Sequence, residues 1–427
     1  MSTIVQLREK ISDGLDETLA SVYCADAAGV AVQKTRYLKA VESFEKIFSQ
    51  RDGLSLFSAP GRTEIGGNHT DHQHGCVLAA SVNLDVIAVV APRTDTVITI
   101  KSEGFEADRV DISNLTPRSA EVGYSAALIR GVCEGFVCRG FQIGAFDAYT
   151  TSNVLKGSGL SSSAAFEVLV GTILNHLYND GKIDAVTIAQ IAQYAEREYF
   201  GKPCGLMDQT ASSVGGFVAI DFENPQKPVV RRVNFQFSDC GHNLVIVDTR
   251  GDHADLTADY AAIGDEMRSV AAYFGKEFLR QVNPAAFYAE LGQLKGKVSG
   301  RALLRAMHFF SENELAQQEA ETLEAGDFEV FKKQVLVSGE SSYCLLQNVF
   351  SVAHPERQEV PLALALSKRM LAGKGAWRVH GGGFAGTIQA FIPVELTAEY
   401  CRTMESVFGS DCCHVLAVRP VGAIKIV

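Results

Sequence analysis

Val154-Leu155-Lys156-Gly157-Ser158-Gly159-Leu160-Ser161-Ser162-Ser163-Ala164-Ala165 carries an extended segment through glycines and three consecutive serines directly into a helical pattern. Glycine lets a backbone turn tightly and approach a ligand closely. The first amides of the following helix lack intrahelical partners and can grip an anion. Ser161, Ser162 and Ser163 add hydroxyls able to hold phosphate oxygens or a metal ion. A plain turn could have the same composition. Against that, Ala164, Val168, Leu169, Ile173, Leu174 and Leu177 recur at helical spacing, so the loop ends in a helix N-terminus. The segment reads as a phosphate cradle, without the Gly-Lys-Ser/Thr ending of a P-loop.

Outward from this loop, the 427 residues suffice for two or three cores. A content of 47% hydrophobic and 21% charged residues excludes a disordered chain. The net charge of −11 argues against a broad nucleic-acid or anionic-membrane surface. Met1–Lys10 lacks the apolar core of a signal peptide, and no run approaches the roughly 20 apolar residues of a membrane span. Ten scattered cysteines, with no Cys-x-x-Cys pair, predict reduced thiols and a cytoplasmic protein.

Residues 1–50 read mostly as helix. Strands are predicted at 54–60, 77–92, 95–102 and 142–151, with a helix at 120–138 between the last two. Helices follow to about 179 and over 184–200, then strands at 216–222 and 243–248. Residues 224–242 have the turn chemistry of a domain connection, which suggests domains 1–225 and 240–427. Helical patterns dominate 255–375; strands return at 387–392, 414–418 and 423–427, with a helix near 395–408. The order lacks strict βαβ alternation and predicts an α+β fold with helices on mostly antiparallel sheets.

Three more constellations carry chemistry. Pro60–His72 packs glycines and hydrogen-bonding side chains into what reads as a loop between strands. Asn68, His69 and Asp71 suit a polyhydroxylated ligand, and Arg62 could face a phosphoryl group. His69, His72, His74 and Asp71 could instead bind metal, although their spacing matches no zinc signature. In Pro203-Cys204-Gly205-Leu206-Met207-Asp208-Gln209 a partly desolvated Asp208 could act as a base or as a helix cap. Glu196, on the preceding helix, is either a surface charge or a Mg²⁺ ligand. Arg378-Val379-His380-Gly381-Gly382-Gly383-Phe384-Ala385-Gly386 is a glycine-rich turn before a strand.

Together these segments resemble the GHMP small-molecule kinases, and within them the galactokinases, over about residue 35 to the C-terminus. The sugar signature corresponds to Pro60–Asp71, the nucleotide loop to Gly157–Ala165, and the third glycine motif to Arg378–Gly386. The resemblance implies a two-domain α+β fold with the active site between the domains. It implies phosphorylation of the anomeric hydroxyl of galactose by ATP, with Asp208 as catalytic carboxylate and Arg62 as its cationic partner. Asn68, His69, Asp71, Gly205 and Tyr260 would line the sugar pocket; Gly157, Ser158, Gly159, Leu160, Ser161, Ser162, Ser163 and Ala164 would wrap the ATP phosphates. Ser162 and Glu196 would hold Mg²⁺. The expected partners are the sugar and ATP alone, for a monomer or weak homo-oligomer.

Asn68 stands where the family usually has Glu, Glu64-Ile65 where it has Asn-Leu, and His72 where it has Tyr. An amide donates as well as accepts, so galacturonate or N-acetylgalactosamine rival galactose as the acceptor. A sugar sensor without turnover would be expected to lose loop serines; Ser161–Ser163, Asp208, Arg62 and Glu196 are all present.

Overall fold

The apolar run 76–92 does not alternate with polar residues, because it is covered on both sides. Ile87 and Val89 face one core and Ala88 and Val90 another. The computed structural model describes residues 3–49, 51–154, 159–202, 204–251 and 256–427. Its first sheet contains β1 (Ser55–Gly66), β2 (Cys76–Pro92), β3 (Val97–Ser102), β4 (Ala107–Asp111), β5 (Phe146–Ser152), β6 (Phe217–Asp221) and β7 (Val229–Val233). The second contains β8 (His242–Asp248), β9 (Ala376–Val379), β10 (Thr387–Pro393) and β11 (Cys413–Leu416) in the order β11-β8-β10-β9. The last strand, β12 (Ile424–Lys425), returns to pair with β1, so the chain's C-terminus completes the first sheet. All pairs are antiparallel except β3 with β5. This is the expected α+β architecture.

Helices α1 (Ile4–Asp13), α2 (Asp16–Tyr23) and α3 (Ala27–Phe48) cover one face of the first sheet through Leu7, Leu19, Val41 and Phe44. On the other face lie α4 (Ser125–Val137), α5 (Ser162–Tyr178) and α6 (Ala185–Ala195), with Val132, Leu169 and Ile191 buried. The short α7 (Met207–Val214) closes the sequence-near half. A helical layer follows: α8 (Thr257–Tyr273), α9 (Pro284–Ala289), α10 (Leu291–Leu294), α11 (Gly300–Glu324) and α12 (Phe328–Ser341). Then α13 (Glu359–Leu371) and α14 (Val394–Phe408) pack on the second sheet through Ala363, Tyr400 and Met404.

Two departures from the sequence reading matter. Pro60-Gly61 does not end the strand: β1 continues to Gly66, and its register against β2 shifts between Pro60 and Arg62 and again between Glu64 and Gly66. Such bulges let a strand pass a proline while re-aiming its side chains. The sugar-signature turn is thus only residues 67–75, with a 3₁₀ turn at Asp71–Gln73. Residues 224–242 are not a bare connection either, since β7 forms a hairpin with β6 and a 3₁₀ turn occupies Phe237–Asp239.

Candidate active site

Leu160, in the described part of the glycine-serine loop, lies against β1. The amide of Arg62 donates to the carbonyl of Leu160 at 3.1 Å, and a Cβ on Gly61 would sit 2.9 Å from that oxygen. Glycine is required at 61 for this approach. Ser161 takes a left-handed conformation (φ 55°) as the N-cap of α5, and Ser162 and Ser163 open the helix. Leu160 and Ala164 are buried and anchor the turn in the core. Gly157 and Ser158, also expected on the phosphates, lie outside the described residues.

Asp208 stands at the start of α7, where its carboxylate receives Arg62 in a two-pronged contact: Nε to Oδ1 at 2.8 Å and Nη2 to Oδ2 at 2.5 Å. The same guanidinium donates through Nη1 to the carbonyl of Gly159. One cation thereby ties the acidic side chain to the nucleotide loop. Burial pushes the Asp208 carboxyl up, but Arg62, a Ser161 hydroxyl bond and Lys202 outweigh it and hold the group below the usual carboxylate range. The side chain remains 27% exposed, open to a reactant.

Glu196 begins a π-helical turn, Glu196–Phe200, that extends α6. Its buried carboxylate accepts from Ser163 Oγ (3.2 Å) and Lys202 Nζ (2.9 Å) on Oε1 and from Gln209 Nε2 (2.7 Å) on Oε2. Ser163, not the predicted Ser162, is the loop hydroxyl that reaches it, because Ser162 is one position earlier around the helix. The neighbouring Glu167 is fully buried and its Oε1 has no hydrogen-bond partner. Carboxylate and hydroxyl oxygens are the hard donors Mg²⁺ prefers, and the orphaned acceptor leaves room for added positive charge. Among the described residues no three His, Cys, Asp or Glu side chains are arranged to hold a metal by themselves. Such a set suits a cation that keeps water and phosphate ligands. The histidine cluster does not gather round a metal: His69 Nδ1 meets His72 Nε2 at 3.2 Å, while His74 stacks on Phe278 at 3.8 Å.

The third glycine motif holds the predicted sugar residues in an unforeseen way. Asn68 Nδ2 donates to the Gly381 carbonyl (2.8 Å), His69 Nε2 meets that of Gly382 (2.9 Å), and the Tyr260 hydroxyl donates to that of Gly383 (3.1 Å). Asn68 also donates to Glu64 Oε1 (2.8 Å) and accepts from Asn348 (2.9 Å) and Ser342 (3.4 Å). Both ends of its amide are thus engaged within the fold, where a direct sugar contact was expected. His69 is likewise engaged at both ring nitrogens, and burial lowers its pKa to about 3, keeping it neutral. Asp71 and Gly205 do meet: a Cβ on Gly205 would lie 2.4 Å from Asp71 Oδ2. The two share a cleft of about 610 Å³ with Gln193, Cys204 and Leu206.

Sequence reasoning missed several supporting residues. Arg378, almost fully buried, pairs with Glu64 at 2.8 Å, and burial nonetheless raises the Glu64 carboxyl to about 7. His380 bridges Thr63 Oγ1 and Thr387 Oγ1, both at 3.0 Å, and burial holds it neutral with a pKa of about 3. Lys202, beside the Pro203–Gln209 segment, had no expected role and Asn348 lay in no motif; only the folded chain brings them to the site.

Known proteins are similar to this chain over the same segments. Residues 125–216 match the GHMP kinases N terminal domain, and residues 42–92 match the galactokinase galactose-binding signature. A galactokinase of Streptomyces coelicolor is 29% identical over 376 residues, spanning 86% of this chain and 92% of that protein. Galactokinase of Lactococcus lactis, solved in complex with galactose, superposes with a TM-score of 0.77 at 21% identity, covering 91% of this chain and all of that one. Mevalonate kinase of Methanococcus jannaschii follows at a TM-score of 0.62 and 12% identity over 86% of this chain and 99% of its own. These structural likenesses establish the shared fold. One family model spans the serine loop and Asp208 and another spans Arg62, so over these segments the chain is similar to the GHMP kinases and, within them, to the galactokinases.

Proposed function

We propose that this protein transfers the γ-phosphoryl group of ATP to the anomeric hydroxyl of galactose, giving galactose 1-phosphate and ADP. The observation that carries the reading is the Arg62 bridge between Asp208 and Gly159, since it sets an ionised carboxylate against the nucleotide loop. Phosphoryl transfer depends chiefly on positioning and charge neutralisation. Gly159–Ala164 would cradle the phosphates at the start of α5. Asp208 would orient the sugar's O1 and accept its proton as oxygen bonds to phosphorus, while Arg62 steadies the charge. Asp71, Gly205 and Tyr260 would contact the sugar, with Asn68 and His69 building the wall behind it. Mg²⁺ when bound would neutralise charge on the phosphates, held by Glu196 and a serine hydroxyl of the loop.

The ten free cysteines support a reducing, cytoplasmic setting, and the proposed working unit is a monomer or weak homo-oligomer of two domains divided near residues 225–240. No described helix is long and apolar enough to cross a membrane. The test supplies ATP with galactose, glucose, galacturonate and N-acetylgalactosamine, follows ADP release and locates the phosphate by NMR. ADP release with galactose and phosphate on C1 is expected. A preference for another acceptor, or a product phosphorylated elsewhere, would overturn the assignment.

A further inference from the structure

Asn348 belongs to none of the glycine- or serine-rich motifs, yet it touches two of the site's three working segments. It follows the π-helical turn Ser342–Leu346, after Gln347 has reversed the chain with φ 59°. The residue is fully buried. Its Nδ2 donates both to Asn68 Oδ1 at 2.9 Å and to the Gly382 carbonyl at 3.2 Å. Its own main-chain carbonyl accepts from the amide of Phe384. The packing is close, since a Cβ on Gly383 would fall 2.1 Å from that carbonyl oxygen.

The glycine turn is linked onward to the nucleotide loop. His380 spans Thr63 and Thr387, and a Cβ on Gly159 would meet the His380 ring at 3.1 Å. We propose that Asn348 is a positioning residue for phosphoryl transfer, clasping the sugar-signature turn to the third glycine turn so that the acceptor hydroxyl keeps its register with the nucleotide loop. An amide is suited to this place. Aspartate would set lone pairs against the Asn68 and Gly382 oxygens, and alanine would leave both without their donor. The inference rests on the kinase reading for its kinetic consequence, but the clasp itself is a contact between two turns.

The test compares wild type with Asn348→Asp and the milder Asn348→Ser, measuring KM for galactose and for ATP separately, together with amide hydrogen exchange of residues 67–75 and 381–386. A clasp predicts at least a tenfold rise in galactose KM with ATP KM within twofold, and faster exchange in both turns. A double-mutant cycle of Asn68→Ala with Asn348→Ala is expected to show non-additive galactose KM values. Equal rises in both KM values, unchanged exchange in both turns, or strict additivity would overturn the proposal. Should wild type phosphorylate no sugar, the kinase reading fails, and the exchange measurement still decides the clasp.

Discussion

At the scale of single residues the site is organised by charge. Asp208 would ordinarily be discouraged from ionising by its burial, and Arg62 reverses that preference while reporting to the nucleotide loop. Asp208→Asn is expected to lower kcat by roughly 10²–10⁴-fold, the usual contribution of a positioned acid or base. Fluorescent-nucleotide titration should find ATP binding nearly unchanged; kcat within twofold of wild type would exclude the carboxylate from the chemistry. The pH dependence has a definite sign. A carboxyl with a depressed pKa stays ionised throughout the neutral range, so activity governed by Asp208 holds down to about pH 5 and falls only below the ordinary Asp value of about 3.9. Arg62→Lys keeps the charge but loses the two-pronged contact, and should shift that acid limb upward in a kcat/KM profile. Gly205 allows a second test. Its Cβ would press on Asp71 Oδ2, the movable end of a side chain rather than backbone. Gly205→Ala should raise galactose KM by roughly 10–200-fold, the span of a 1–3 kcal/mol loss in a pocket, with ATP KM unchanged. A galactose KM within threefold of wild type would remove Gly205 from the pocket.

At the scale of elements, sequence signals told helices from strands but not how far each extended. Residues 77–92 were legible as a strand from their apolar, β-branched character, and the helix after Ser161 from its spacing. The continuation of β1 through Pro60-Gly61 was not, because local turn chemistry predicts a break and only pairing with β2 and the approach of Leu160 overcomes it. The glycine turn shows why local composition undersells a site: Gly381 and Gly383 both have positive φ (65° and 78°), yet only at 383 would a Cβ collide, and with backbone. Gly381→Ala should therefore cost only the left-handed penalty, about 1–2 kcal/mol. Gly383→Ala must also displace Asn348 and should cost clearly more in urea denaturation. Equal losses for the two variants would mean the turn yields without cost at residue 383.

For the whole molecule, the four motifs announced which segments would converge, while the side chains that hold them together were silent. Arg378, Asn348 and His380 each reach a partner more than 270 positions away, a separation no periodicity encodes. The same holds for a buried charged centre whose side-chain contacts include neither Arg62 nor Asp208. Asp85, fully buried, accepts from Tyr23 on α2 (2.6 Å), Ser58 on β1, Arg36 on α3 and Arg419 near the C-terminus (3.3 Å). Burial raises its pKa, but Arg36 and Arg419 more than offset this and hold the carboxyl below its usual value. A group depressed in the fold contributes stability above its unfolded pKa and loses it as pH falls through the folded one. Asp85→Ala leaves Arg419 buried without its counter-charge, a situation that costs about 3–5 kcal/mol. It would also loosen β12 from β1, since the turn before that strand is pinned by Arg419 donating to the carbonyls of Val421 and Gly422. Urea denaturation at pH 7 should show the full loss, and the deficit relative to wild type should shrink as pH is lowered toward 3, where wild type begins to lose the same interaction. Near-normal KM values for ATP and galactose in the folded variant are expected, because none of these contacts touches Arg62, Asp208 or the glycine turn. A deficit below about 1 kcal/mol would mean that Arg36 and Arg419 are satisfied by backbone carbonyls and hydroxyls alone, and that the N-terminal helices and the C-terminal strand are held by apolar packing rather than by this buried charge.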